Sequence, residues 1–460
     1  MTASGPTILV VGAGPAGVRA AQTLVAAGLR PIVVDEGARA GGQIHRRPPE
    51  GFLRPAQALY GSEARKAAAL HRAFDEMARA GLLIHLPRRS VIALAGGRAQ
   101  VLGEDSHRWI AYDRLILATG ATDRVAPAPG WESAGVYTLG AMQIALKAQG
   151  VALGRRIVLA GSGPLLTLVA AQLVKAGAGV VAVLDDSSLS RQAAGLAGLA
   201  ARPVFALRGA AMRARLGRLY RAGAAVERIA HDARGPTAVV WRDARGRAQR
   251  TECDAVGIGW HLRAETHLAD LAGCAFDYDA TWRQWLPRVD AMGRSVGGEG
   301  AGVYLAGDGL RLIGADGAEI AGRLAAAACL ADLGLRAPDV AADMRRLRRL
   351  RRFAEGVACA FPWPAEMIRA LPDETVVCRC EGVTCGELRA AARYGGAEAN
   401  RAKSLSRVGM GRCQGRYCQL AGVEIVAACA GLDVAAVGRL RGQSPARPAS
   451  IAALLRDDGA

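Results

Sequence analysis

Ten cysteines in 460 residues are few, yet five of them sit in two short pieces, VVCRCEGVTC (376–385) and GMGRCQGRYC (409–418). Cys378-x-Cys380 and Cys413-x4-Cys418 place two thiol pairs in turn-like, glycine-flanked sequence. Four thiolates suit either tetrahedral zinc or an iron–sulfur cluster. Zinc-binding domains usually space each pair by two to four residues; C-x-C is tighter and fits two thiolates taken from one sharply turned loop. Spacing therefore leans toward iron–sulfur and leaves zinc as the alternative. Arg379, Arg407, Arg412 and Arg416 crowd these pieces, and cations beside a net-negative thiolate cluster would offset its charge and raise its potential. A helix read from Gln419 to Ala430 would turn its positive end toward the same place. Cys385 is extra and reads as a buried thiol. Cys429 lies on an apolar helix face, and Cys253 and Cys274 read as core fillers.

A different chemistry stands at the other end. TILVVGAGPAGVRAAQTLVAAGLRPIVVDE (7–36) reads as strand, tight turn, helix, strand. Gly12, Gly14 and Gly17 supply G-x-G-x-x-G, with Pro15 and Ala16 inside it. The first glycine allows the turn, the second admits a pyrophosphate, and the third lets the helix lie close to the sheet. The second strand is read as ending at Glu36, just after Asp35, where a carboxylate can accept hydrogen bonds from a ribose diol. The segment 155–186 repeats the pattern with Gly161 and Gly163, but Leu166 takes the third glycine's place and Asp185 or Asp186 the acid's. That match supports a second unit of the same architecture better than it supports a ligand. NAD(P), another adenine nucleotide and a structural remnant all stay open for it.

Three further pieces fall in order: GGQIHR (41–46), YDRLILATGA (112–121) and GVYLAGDG (302–309), the last before a long Ala-rich helix. Over roughly residues 7–335 the chain resembles the glutathione-reductase-like flavoproteins. The resemblance implies FAD. It puts Ala118, Thr119 and Gly120 at the turn closing the first half of the FAD domain, Gly307 and Asp308 at the ribityl and pyrophosphate part, and Gly42 and Gln43 along the flavin. His45 is then a candidate flavin neighbour. His261, in GWHLRAETHL with His267, reads first as a satisfied loop histidine and second as a residue near a flavin or a partner. Disulfide reductases of this fold carry a redox-active cysteine pair. This chain has no cysteine before Cys253, so electrons would have to leave by another route.

With the cysteine pieces added, nearly the whole chain resembles the larger, α-type subunit of heteromeric amino-acid dehydrogenases. That family includes opine oxidases, dye-linked proline and hydroxyproline dehydrogenases, hydrogen cyanide synthase and, more distantly, heterotetrameric sarcosine oxidase. It implies an α/β flavoprotein with two dinucleotide-binding domains and a small helical C-terminal domain like bacterioferritin-associated ferredoxin. FAD would occupy 1–150 and 258–335, an NAD(P)-like domain 151–257, a linker and helix 336–372, and the [2Fe-2S] domain 373–460. Cys378, Cys380, Cys413 and Cys418 would hold the cluster. A β-type FAD subunit would oxidise the amino acid or secondary amine, a small γ subunit could accompany it, FMN would sit at the partner interface, and a quinone or carrier would accept the electrons. The competing readings are a self-contained NAD(P)H-dependent ferredoxin- or rubredoxin-type reductase, and a non-catalytic scaffold of a partner oxidase.

The formal charge of +18 invites nucleic acid as a partner, but the basic residues are spread along the chain and aromatic residues are only 5%. A base-stacking platform needs aromatics interleaved with its cations, so nucleic acid is not expected. ADMRRLRRLRRFAEG (342–356) sets Leu347, Leu350 and Phe353 at three-residue spacing among arginines, the pattern of a solvated helix with one thin apolar stripe. No apolar run reaches the roughly 20 residues of a membrane helix. The expected location is cytoplasmic, with at most peripheral contact with the membrane's inner face.

Overall fold

The computed structural model describes residues 5–52, 54–298, 300 and 302–458. Five parallel strands, in the order 303–305, 114–117, 8–11, 32–35 and 84–87, make the first sheet. All four residues of Ile8–Val11 are buried, as a central strand covered on both faces requires. The helices Pro15–Ala26 and Gly314–Asp332 cross tightly on one face. A Cβ at Gly322 would stand 2.0 Å from the Ala16 carbonyl oxygen, so the Ala- and Gly-rich composition is what lets these backbones meet. Strands 90–95, 98–102 and 107–111 form an antiparallel sheet over the other side.

The second sheet runs 220–222, 180–185, 157–162, 255–260, 136–138, again all parallel. Its edge strand, Val136–Thr138, comes from before residue 151 and its fourth strand, Ala255–Trp260, runs past residue 257. The sheet thus draws on both sides of the segment that its fingerprint marks. Helix Pro164–Lys175 packs on it through Leu166, Val169, Ala170 and Leu173.

The arginine-rich segment is the helix Ala341–Ala360. Leu347 and Leu350 lay the expected stripe on Ile320 and Leu324, and Phe353 meets Phe205 edge to face at 5.5 Å. Farther along, Gly356 is pressed against Gly195 and Gly198: a Cβ at Gly198 would lie 2.5 Å from the Gly356 Cα. The C-terminal region is a short hairpin, Val376–Cys378 with Val383–Thr384, followed by helices Cys385–Gly395, Ala399–Ser406 and Gln419–Ala430. Its core is continuous with the second sheet's through Trp131, Trp363, Ile368 and Val377, and Trp131 Nε1 donates to the Val376 carbonyl at 2.6 Å. The last residues turn back to the first sheet's side, where the Ala446 N–H donates to the Ile92 carbonyl and Arg447 pairs with Glu36.

Candidate functional site

The first cradle is built as its glycines require. Gly12 has φ 105, and a Cβ there would come 2.3 Å from the Ala118 oxygen. At Gly17 a Cβ would come 1.8 Å from the Gly12 oxygen. Pro15 begins the helix whose free N–H groups face this turn. The second strand ends at Asp35, one residue earlier than the sequence reading placed it. Asp35 accepts from the Ala13 N–H at 2.5 Å and the Gly37 N–H at 2.6 Å. Burial raises its pKa against those bonds. Glu36 points elsewhere, taking Arg447 at 2.6 Å and the Ser90 hydroxyl at 3.2 Å. Asp35 thus spends both oxygens on the turn's own backbone, while the more exposed Glu36 reaches across to the returning C-terminus.

Gly42 stacks on Gly14, so GGQIHR runs directly off the phosphate turn. Ala118, Thr119 and Gly120 close the neighbouring strand, with Thr119 Oγ1 donating to the Glu265 carbonyl at 2.7 Å. Gly309 backs onto Thr119 and Gly120. Gly307 is in left-handed backbone beside Ala16 and Ala318, and Asp308 holds the Ile313 and Gly314 N–H groups at 2.8 and 3.0 Å. These residues converge on one cradle.

The second fingerprint is closed by the chain's own side chains. Gly161 and Gly163 make the turn, but Asp185 is fully buried and already accepts from Ser162 Oγ and the Ser187 N–H, both at 2.9 Å, and from the Tyr220 hydroxyl. Asp186 takes Trp260 Nε1 at 2.5 Å, and burial pushes it up to about 7. His261, in left-handed backbone at φ 67, covers Gly163 and meets Trp282 edge to face at 5.6 Å. Its Nδ1 accepts from the Leu262 N–H at 2.7 Å. Burial, with Arg124 nearby, pulls it down to about 4. It is the satisfied histidine expected first. His267, by contrast, serves Glu265, with its N–H and ring Nδ1 at 3.2 and 3.7 Å.

The four cysteines meet as two pairs. Cys378 neighbours Cys418 and Cys380 neighbours Cys413, all four as free thiols close enough to shift one another's ionisation. Among the described residues no group of three or more His, Cys, Asp or Glu is arranged to hold a single metal ion. The first pair is buried, Cys380 is exposed and Cys413 half-buried. The Cys418 hydrogen bond, against burial and with the Gly409, Glu381 and Cys380 N–H groups helping, pulls Cys378 down to about 6. Helix 419–430 starts at Cys418, as the sequence suggested. Cys385 opens a different helix, is fully buried, and is pushed by burial up to about 11.

The arginines near the cysteines carry other bonds as well. Arg407 pairs with Glu381 at 2.9 Å, and Arg416 pairs with buried Glu265 at 2.7 Å while its Nη1 donates to the Cys413 carbonyl at 3.1 Å. Arg379 reaches the Val136 and Ser133 carbonyls of the second sheet's side, and Arg412 is exposed. The buried cations that feel the cysteines are Arg263, near Cys418 and Cys413, and Lys403, near Cys418. Neither stands out in the sequence. Arg263 belongs to the short strand Leu262–Ala264, 153 residues before Arg416 and only two after His261, and no local motif announces it.

Two nucleotide-type folds joined to a cysteine-bearing helical domain are the architecture of a flavoprotein oxidoreductase. Comparison with known proteins agrees. The sequence profile of the pyridine nucleotide-disulphide oxidoreductases matches residues 6–315, and that of the sarcosine oxidase A3 domain matches 373–457. An opine oxidase subunit of Rhizobium meliloti is 36% identical across 97% of this chain and 86% of its own length. Hydrogen cyanide synthase subunit HcnB of Pseudomonas protegens is 30% identical across 89% of each chain. The crystal structure of L-proline dehydrogenase from P. horikoshii shares the fold, with a TM-score of 0.71 over 98% of this chain and 79% of that one at 18% identity. The chain belongs to the pyridine nucleotide-disulphide oxidoreductase family, in the group of opine oxidase and hydrogen cyanide synthase subunits, and is more distantly similar to sarcosine oxidase α subunits. It is an FAD-binding oxidoreductase subunit.

Proposed function

We propose that this chain carries electrons for a heteromeric amino-acid or amine dehydrogenase whose substrate is oxidised on a partner FAD subunit. The carrying observation is the thiol arrangement: two pairs, one buried and one reaching the surface. Each iron of a [2Fe-2S] centre takes two protein ligands, and such centres are held by four thiolates. On this reading Cys378, Cys380, Cys413 and Cys418 hold the cluster, and Arg263 and Lys403 offset its negative charge. The small domain is then of the bacterioferritin-associated-ferredoxin kind. FAD, when bound, supplies an acceptor for two electrons that can be released singly. Gly12, Gly14 and Gly17 seat its pyrophosphate, Asp35 braces that turn with Glu36 beside it as the acid for the adenosine ribose, and Asp308 lies on the ribityl side. FMN at the partner interface and a quinone or carrier as final acceptor complete the proposal. The substrate class is a proline-, hydroxyproline-, sarcosine- or opine-type amine bearing a carboxylate; proline, sarcosine and opine stand in the names of similar proteins.

The rival reading, a self-contained NAD(P)H reductase, needs an open second fingerprint. Asp185 engaged by Ser162, Ser187 and Tyr220, with His261 over Gly163, speaks against it. Purified without oxygen, the chain should carry iron and acid-labile sulfide in equal amounts. Cys380→Ser should abolish the cluster's absorption while leaving FAD bound. Zinc without sulfide would sink the cluster, and rapid bleaching of the flavin by NADH would favour the reductase. Co-purification with a β-type subunit, followed by a screen of proline, hydroxyproline, sarcosine and opines, tests the substrate class.

A further inference from the structure

Lys147 is 6% exposed, and its ammonium has one hydrogen-bond partner among the described residues, the Ile44 carbonyl at 3.4 Å. Burial alone pulls its pKa down to about 8, with no carboxylate offsetting it. It is delivered by a wide helical turn, Ala145–Gln149, that follows the helix Leu139–Ile144. In that turn the consecutive residues Ala145, Leu146 and Lys147 are all buried. Such π-turns inside helices recur at functional sites.

Beside it, His45 is 1% exposed with neither ring nitrogen bonded. Its ring is held edge-on by Tyr60 and His71, with centroids 6.0 and 6.4 Å away. A buried histidine without a partner and a buried ammonium with a single long one thus border the same loop, residues 44–45. A buried cation without a counter-ion is strongly disfavoured unless something else supplies the charge.

The loop's origin says what that is. The Gly41 N–H donates to the Ala13 carbonyl at 2.9 Å, and Gly42 rests on Gly14. Residues 41–45 therefore lead away from the phosphate turn. The adenosine half of a dinucleotide on that turn belongs on the Asp35 side. Its other half would then lie along Gly42 toward His45, the direction in which this loop leaves the turn.

We propose that Lys147, with His45 beside it, is the counter-charge for the isoalloxazine end of FAD, stabilising the negative charge its pyrimidine edge carries after two-electron reduction. This rests on the FAD assignment above. A lysine whose stem merely filled space would be replaced without consequence by methionine.

Sulfite tests this without turnover. It bonds reversibly to N5 of oxidised flavin, the displaced electron pair settles as negative charge on the pyrimidine edge, and the visible band bleaches. In the full-length chain loaded with FAD, Lys147→Met should keep FAD and weaken sulfite binding. A loss of about tenfold corresponds to a two-electron midpoint potential roughly 30 mV lower. Lys147→Arg should recover most of both. Lys147→Gln is read the same way should the methionine variant not fold. FAD-loaded Lys147→Met with unchanged sulfite affinity and potential overturns the inference. A wild-type chain that retains no FAD overturns the flavin assignment itself, before any variant is made.

Discussion

Glu265 joins the flavin part of the chain to the cysteine domain, and its replacement by glutamine should be unusually costly. Its carboxylate meets Arg416 Nε at 2.7 Å and Nη2 at 3.3 Å, with both side chains under a tenth exposed. Arg263, also buried, donates to the Arg416 carbonyl at 3.1 Å and adds a second cation. Removing one partner of a buried pair costs about 3–5 kcal/mol, because the other charge is left uncompensated. Glu265→Gln leaves two buried guanidiniums facing each other, so the upper end of that range applies. Arg416→Met leaves Glu265 with Arg263 and His267 and should cost less. The double variant should show a coupling of roughly 1–3 kcal/mol. Urea unfolding, followed by tryptophan fluorescence and converted with each variant's own slope, measures all three. The pH dependence has a definite sign. Burial would raise the Glu265 pKa, but His267, Arg416 and Arg263 outweigh it and hold the carboxyl well below 4.5. Its stabilisation is therefore complete above pH 4.5 and is lost as pH falls toward the folded value, a loss that Glu265→Gln lacks. A cost for Glu265→Gln below about 1 kcal/mol, the range of exposed pairs, would refute the reasoning. So would an Arg416→Met variant that is the less stable of the two.

Other outcomes follow from the same geometry. Gly17→Ala places a Cβ 1.8 Å from the Gly12 oxygen and should abolish FAD retention, measured as flavin released on heating. Leu166→Ala should cost about 2–5 kcal/mol, since Leu166 is fully buried, and should gain no NADH binding by calorimetry. Cys385→Ala should leave the iron and sulfide content unchanged, because that thiol is buried at the start of a separate helix.

Local motifs were readable wherever backbone shape depends on nearby residues. The turn at Gly12–Gly17, the helix at 419–430 and the apolar stripe of Leu347 and Leu350 follow from short-range steric and periodic rules. Asp35 and Glu36 show the limit: the two acids are adjacent in sequence, and only the fold shows that Asp35 holds the turn's backbone while Glu36 meets Arg447 from far along the chain. The arginines show it again. Proximity in sequence pointed to Arg407 and Arg416 beside the cysteines but not to the Glu381 and Glu265 carboxylates that pair with them. Arg263 and Lys403 come near the cysteines only because folding brings separate strands and helices together. The altered third glycine at Leu166 already spoke for architecture over ligand at the second fingerprint, but Tyr220 and Trp260 carry no signature of the acids they cover.

The contact of Gly356 with Gly195 and Gly198 has a mechanical meaning. Main chain rests on main chain there, and the joint is tied by Ser187 Oγ to the Ala360 carbonyl and Arg349 Nε to the Ala201 carbonyl, both at 2.6 Å. No rotamer at these three positions can yield or swing. The connecting helix behaves as a strut, and the gap it spans is a fixed length rather than a hinge. Traffic across that gap should accordingly be indifferent to solvent viscosity, unlike transfer that waits on a moving domain.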